Sequence, residues 1–402
     1  MDLANLRVII VGGATGGCAA ALLLARAGAH VTLVERVAQP RAVGAGIALA
    51  ENGMAVLESL GLRKALGSAR EVNGARISDA AGRTLLAPPE PAPHVFMLRR
   101  STLQGVLLDA VAAKPRIERM FGSEVVHAAP DGSVETREAG GPTLTLHADL
   151  VIGADGVHSR VRECGAFQAR ARRTGIRYIR GVVGEGLAQR AEAWTSAGLF
   201  GSFAVECGTY FYASCGTREC AAAIEARDLA ALRTAWSRAY EPAGWILGAV
   251  ASFDDLLVNE VVRVDCARWW DERLVLLGDA AHAMAPNVGQ GANSALVDAV
   301  VLLDELRRAP SLDQGLAAYD ARRRPAVKKV ADLAARLGRL AELTNPVART
   351  LRDRVLLPIA GLFSTKRMTD VVLQEPASRL RVIGRPVTHL ERASSKHQER
   401  KG

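Results

Sequence analysis

Residues 6–35 constrain this chain more than any other stretch. Leu6–Val11 reads LRVIIV, a short apolar run that opens directly into Gly12-Gly13-Ala14-Thr15-Gly16-Gly17. Cys18–Ala27 continues as CAAALLLARA, Gly28 stands where a helix C-cap belongs, and His30–Val34 is a second apolar run closed by Glu35. Strand, glycine turn, helix and strand in that order form a βαβ dinucleotide-binding unit. Glycine lets the backbone turn sharply and approach a pyrophosphate, whose charge is met by free N–H groups at the helix N-terminus. Glu35 accepts from ribose hydroxyls and repels a 2′-phosphate, which favours NAD or FAD over NADP at this site. The G-x-G-x-x-G spacing falls on Gly12, Ala14 and Gly17, and Gly13 and Gly16 keep the turn flexible around the one departure, Ala14. The competing reading is an ordinary α/β loop. Strand, helix and acid all in place weigh against it.

The 402 residues, 49% of them hydrophobic, bury a large core and predict two domains. No run of about 18 apolar residues occurs and the first strand begins within a few residues of Met1, so the expectation is a cytoplasmic protein without an integral membrane segment. The six cysteines make no C-x-x-C pair, as expected of thiols in a reducing compartment. The net charge of +9 is spread along the chain without an aromatic-interleaved basic block, so nucleic acid is not the expected partner. An anionic cofactor or substrate accounts for it.

Further along, RAVGAGI at residues 41–47 precedes a predicted helix over Ala48–Leu62, and the glycine pair there brings backbone close to a ligand. Ala75–Leu86 reads as a hairpin and Ala87–His94 as a Pro-rich loop. Phe96–Val111 carries Arg99 and Arg100 at the start of a Leu-rich helix, an unfavourable place for a cation unless an anion is nearby. Leu144–Ile152 reads as one strand entering Gly153-Ala154-Asp155-Gly156. Thr174–Cys215 alternates in short segments, the texture of an antiparallel sheet. Leu274–Leu277 is a buried strand that meets Gly278-Asp279-Ala280-Ala281-His282, then Pro286, Gly289-Gln290-Gly291-Ala292-Asn293 and a helix through Leu306. This second glycine-rich helix start can hold another anionic or polar group. Beyond Pro325, Val327, Val330, Leu333, Leu337 and Leu340 recur at helical spacing; a basic amphipathic helix of this kind either lies on a membrane or packs on the domain, and packing is expected.

From about Leu6 to Pro325 the chain resembles the FAD-dependent aromatic-hydroxylase type of flavoprotein monooxygenase, the salicylate and hydroxybenzoate hydroxylases. Three motifs in order carry the resemblance: the βαβ turn with Glu35, Gly153–Arg162 with Asp155, and Gly278–Pro286 with Gly289–Asn293. It implies an α/β fold: a Rossmann-like FAD-binding domain, a second antiparallel-sheet substrate domain and C-terminal helices. The implied division is 1–72, 95–170 and 265–335 for the FAD-binding domain, 73–94 for a substrate-domain hairpin, 171–264 for the substrate sheet, and 336–402 for C-terminal helices and tail.

The resemblance further implies that Gly12, Gly13, Ala14, Thr15, Gly16 and Gly17 bound the pyrophosphate turn, with Glu35 and Arg36 at the adenosine ribose. Gly46, Ile47 and Arg100 would contact FAD, with Arg99 the alternative in that register. Asp155 would lie near the pyrophosphate and Asp279 at the ribityl chain or pyrophosphate. Backbone N–H groups of Gly289, Gln290, Gly291 and Ala292 would face the isoalloxazine, Asn293 would also bind the cofactor, and Pro286 would stand where substrate meets flavin. The implied reaction takes hydride from NADH or NADPH and one oxygen atom from O2, through a flavin C4a-hydroperoxide, to an aromatic or related electron-rich small molecule. A donor fold is not apparent, so the nicotinamide docks transiently to a monomer or homodimer. In the substrate sheet Arg180, Tyr210 and Tyr212 are candidates, the tyrosines sharing a face by period-two alternation and Arg180 clamping a carboxylate; His282 is a candidate base. A prenyl-chain hydroxylase or reductase of the same fold and a non-catalytic flavin- or NAD-binding sensor are the alternatives.

Overall fold

The computed structural model describes residues 1–40, 45–67, 69–73, 76–88, 92–362 and 366–385. Its centre is a six-stranded sheet in the order Trp270–Asp271, Leu274–Leu276, Leu150–Gly153, Arg7–Val11, His30–Glu35, Ile117–Phe121. All neighbours are parallel except the edge strand Trp270–Asp271. Val8, Ile10, Leu33, Val151 and Leu274 are buried, as continuous apolar runs must be when helices cover both faces. Thr15–Arg26 packs on Gly291–Arg308, which packs in turn on Leu312–Ala341.

The second body is a seven-stranded sheet, Leu257–Cys266, Ala169–Val183, Gly208–Ser214, Leu199–Val205, Ala191–Trp194, Arg76–Ser78, Thr84–Leu86. Side-chain alternation divides its faces. Ile179, Val183, Phe200 and Phe211 pack under the helices Arg218–Glu225, Leu229–Ala239 and Glu241–Gly248. Tyr178, Tyr210 and Tyr212 belong to the clusters on the opposite face, with Met97 on one side and Ala341 and Leu357 on the other. The antiparallel texture expected over Thr174–Cys215 and the hairpin within 76–86 are both present; Ala75 lies outside the described residues, as do 41–44 of the expected glycine loop and 89–91 of the Pro-rich loop.

Two expected elements are corrected. The helix over Ala48–Leu62 begins later: Gly46–Ala50 is a strand paired with His94–Arg99, and the helix is Glu51–Ser59. Pairing with a neighbouring strand outweighs helical propensity there. The single strand over Leu144–Ile152 is two strands in two sheets, Thr143–His147 and Leu150–Gly153. They part at Asp149, whose carboxylate accepts from Arg7 N at 2.9 Å and starts the parallel register with Arg7–Val11. The helix past Pro325 packs on the body as expected, with Val327 and Val330 buried; it is one 30-residue helix, Leu312–Ala341, with Pro325 inside.

Candidate functional site

The glycine turn is shaped by contacts that exclude side chains. Gly12 has φ +105°, and a Cβ there would lie 2.4 Å from the Ala154 carbonyl oxygen. On Gly17 it would lie 1.9 Å from the Gly12 oxygen. Gly16 serves packing rather than flexibility, since its Cβ would meet Leu277 Cδ1 at 2.7 Å. Ala14 is exposed at the N-cap of Thr15–Arg26, a position with no side-chain cap and no acid in the first turn, so its methyl obstructs nothing in the turn. Thr15 is buried. Gly13 N donates to Glu35 Oε2 at 2.8 Å, and Gln104 Nε2 donates to the Gly13 carbonyl at 2.7 Å. Glu35 thus fixes the turn while keeping lone pairs for ribose.

Three other segments converge here. Asp155 adjoins Gly12; its Oδ2 accepts from Arg160 N and Val161 N, while Oδ1 is buried without a partner among the described residues. Burial pushes its carboxyl above the usual range against those hydrogen bonds. Arg100 begins the helix Arg100–Ala112 and is exposed, whereas Arg99 donates to the Glu206 and Cys207 carbonyls. Arg100, not Arg99, therefore faces the site. Asp279 is exposed at the start of Asp279–His282, with its Oδ1 3.9 Å from where a Cβ on Gly291 would be. Gly291–Arg308 begins with no side-chain cap and no acid in its first turn, a second set of free N–H donors.

A cavity of about 480 Å³ joins these groups to the substrate sheet. Gly13, Ala14, Glu35, Arg100 and Asp279 line it together with Tyr178, Arg180, Asn259, Met284 and Pro286. Arg180 Nη1 lies 3.4 Å from Asn259 Oδ1, and its guanidinium sits over the Tyr178 ring at 5.9 Å. Tyr178 accepts from Asn287 Nδ2 at 3.0 Å, leaving its own proton to donate; burial first, then Glu192 and Glu342, push its ionisation upward.

Several sequence candidates lie elsewhere. Tyr210 and Tyr212 share a face as expected, with ring centroids 5.8 Å apart, but neither lines the cavity. Tyr210 fills the space over Gly46, and Tyr212 donates to Glu192 Oε2 at 2.7 Å, whose Oε1 accepts from Trp194. Burial raises the Glu192 pKa against both bonds. His282 faces a different cavity of about 660 Å³, bordered by Trp269 and Arg263. That larger space has no glycine turn, and its Arg263, Arg324 and Lys328 are already paired with Asp265, Asp320 and Asp332. His282 stacks on Trp269 and bonds Asp298 at 2.6 Å, with Asp298 also on Arg323 at 2.7 Å. Burial opposes charge on Asp298, but His282 and Arg323 outweigh it and hold the carboxyl at about 2. An imidazole committed to that ion network is removed from the role of base.

Asn293 and Gln290 are braces. Asn293 is fully buried and bonds Gly289 O, Ala48 O and Ala50 N. Gln290 accepts from Asn52. Gly289 is left-handed at φ +62°, and Ala292 is half-buried. Arg36 is exposed and Ile47 half-buried, both off the cavity wall. Sequence reasoning missed Tyr178, two residues before Arg180 on the same face, and Gln104, one helical turn after Arg100. Both spacings were there to be read.

Residues 5–334 match the family described as the FAD binding domain. This chain belongs to that family. The FAD-binding protein is 31% identical over 370 residues to the aurachin C monooxygenase/isomerase of Stigmatella aurantiaca, covering 88% of this chain and 94% of that one. It is 30% identical over 372 residues to the 2-heptyl-3-hydroxy-4(1H)-quinolone synthase of Mycobacteroides abscessus, covering 86% and 92%. Among solved structures, the tetrameric form of 2-methyl-3-hydroxypyridine-5-carboxylic acid oxygenase superposes with TM-score 0.75 at 25% identity, covering 90% and 96%. The chain is a FAD-dependent monooxygenase. Its residues fit the cofactor: a turn with no room for a Cβ at Gly12 or Gly17, two uncapped helix starts for anions and carbonyls, and the orphaned Oδ1 of Asp155.

Proposed function

We propose that this monooxygenase hydroxylates an electron-rich nitrogen heteroaromatic ring carrying an apolar substituent, held at the Tyr178–Arg180 end of the cavity. One cavity lined both by the cofactor-type residues and by Tyr178, Arg180, Asn259 and apolar Leu257, Val261 and Met284 carries this reading. Relatives named for a heptyl quinolone and a hydroxypyridine support the ring class.

In this reading Gly12–Gly17 and Arg100 hold the pyrophosphate, with Glu35 on the adenosine ribose and Asp155 and Asp279 along the chain between. Backbone N–H groups of Gly291 and Ala292 would hold the flavin ring, and Pro286 would border the substrate. The division into cofactor segments 1–72, 95–170 and 265–335 and a substrate sheet over 171–264 is part of the same proposal. FAD held there would supply the redox chemistry, with two electrons from NAD(P)H, one atom of O2 going to the ring and the other leaving as water. The protein's part is position, charge and dryness. Arg180 stabilises negative charge on a ring oxygen, which makes the ring carbon beside it a better nucleophile. Tyr178 remains protonated and donates its free hydrogen to the substrate. Leu257, Val261 and Met284 on the lining, with Leu199 and Leu357 packed behind Tyr178 and Val261, keep water from the reacting atoms.

The test is a panel of quinolones and hydroxypyridines, scored for substrate-stimulated NAD(P)H oxidation and product mass. One added oxygen atom is expected. Arg180→Ala should raise KM about 10- to 100-fold through loss of a charge-assisted bond. An unchanged KM removes Arg180 from the substrate.

A further inference from the structure

The apolar side chains that the fold leaves in water are unevenly placed. Five of the nine exposed large apolar side chains among the described residues, Val347, Leu351, Val355, Leu356 and Ile359, lie between residues 347 and 359. They sit on three consecutive helical segments, Pro346–Leu351, Arg352–Leu356 and Leu357–Leu362, the middle one π-helical. Val347, Leu351, Val355 and Ile359 recur every fourth residue, so they form one stripe along the outside.

The inner side of the same segment is packed. Leu357 is buried with Tyr178, Trp194, Leu199 and Val261, of which Tyr178 and Val261 line the cavity. Arg352 is fully buried, with its guanidinium over Trp194 at 5.2 Å and Nη1 donating to the Leu340 carbonyl at 2.8 Å. One stretch of chain thus packs behind the cavity-lining Tyr178 and Val261 on one side and carries, among the described residues, an unpartnered apolar stripe on the other.

Charge decides what covers the stripe. Arg354 is exposed and Arg349 half-buried beside it, while the segment's one acid, Asp353, is paired with Arg352. Arg336 and Arg339 are exposed on the last turns of the preceding helix. The whole chain carries +9. We propose that segment 346–362 docks on the surface of an anionic lipid bilayer, with Val347, Leu351, Val355 and Ile359 in the acyl boundary and Arg349 and Arg354 at headgroup phosphates. Among the described residues no helix is long and apolar enough to cross a membrane, so the segment lies on the bilayer.

Other covers fit less well. A second copy related by two-fold symmetry would set the same arginines against each other. Residues 386–402 of this chain offer only Val387 and Leu390 as large apolar side chains, too few to match the stripe. Docking at this place brings the cavity wall next to the phase in which apolar aromatic compounds concentrate. The inference goes beyond the proposed reaction and does not depend on the substrate.

The experiment sediments FAD-loaded protein with vesicles of phosphatidylcholine alone and of phosphatidylcholine containing phosphatidylglycerol, without substrate or NAD(P)H. Pelleting is expected only with phosphatidylglycerol, with release by high salt. The double variant L351D/I359D and, separately, Arg354→Glu should each lower partitioning about tenfold or more. Both should keep their flavin content. Val382→Asp, which changes another exposed apolar residue, should pellet like the parent. Protein that stays in the supernatant with phosphatidylglycerol vesicles, or a double variant that pellets unchanged, overturns the proposal. A dimer abolished by the double variant, without vesicle binding, overturns it as well and assigns the stripe to a second copy.

Discussion

Tyr178 combines a buried hydroxyl, an accepted bond from Asn287 and a place on the cavity wall beside Arg180. Removing that oxygen takes away the donor and leaves the ring. Tyr178→Phe is expected to lower kcat about 10- to 100-fold with flavin content unchanged, measured by steady-state turnover against flavin absorbance. The ion network of His282, Asp298 and Arg323 makes a different prediction. Asp298→Asn strands a fully buried arginine and should cost about 3 kcal/mol or more, measured by urea unfolding. Its pH dependence follows from the direction of the shift. The folded carboxyl, at about 2, lies below its ordinary value of 3.8, so the unfolded chain binds the extra proton between them. The stabilisation is therefore complete above about pH 4 and is lost as pH falls towards 2. His282 was legible as a chemically capable residue in a glycine-rich turn. Its partners, 16 and 41 residues further on, were not, because burial and pairing are tertiary facts.

At the scale of elements, the glycine turn separates two kinds of small residue. Gly17→Ala forces a methyl onto the Gly12 carbonyl and should weaken FAD retention about 10- to 100-fold, from an overpacking cost of about 1–3 kcal/mol. Ala14→Gly removes an exposed methyl and should change FAD affinity by less than about 1 kcal/mol, measured by flavin fluorescence titration. The βαβ unit was readable because its strands are apolar runs and its turn is fixed by glycine chemistry. The strands Gly46–Ala50 and Leu150–Gly153 were misread at their edges for one reason: each is defined by a partner far away in sequence, His94–Arg99 and Arg7–Val11. Local propensity carries no information about that partner.

For the molecule as a whole, the proposed FAD site lies where several separate segments meet, so binding there should be felt by the entire fold. Saturating the apoprotein at about 100 times Kd is expected to add about 2.7 kcal/mol and raise the thermal midpoint by several degrees, followed by circular dichroism. The order of motifs announced this convergence. The chemistry of the substrate end was less legible, since Tyr178, Asn259 and Met284 come from three segments with no shared pattern. The long helix Leu312–Ala341 ties the two ends together. Near its start Tyr319 bonds the Leu276 carbonyl and Arg323 bonds Asp298; further on Asp332 bonds Arg263, Gly338 abuts Asn287, and Ala341 packs behind Tyr178. One helix bolted down on both sides of Pro325 opposes the halves swinging apart like a clam. Traffic in and out of the chamber must then be handled by small fittings on its rim, and rates of entry should respond to changes there while remaining indifferent to the frame.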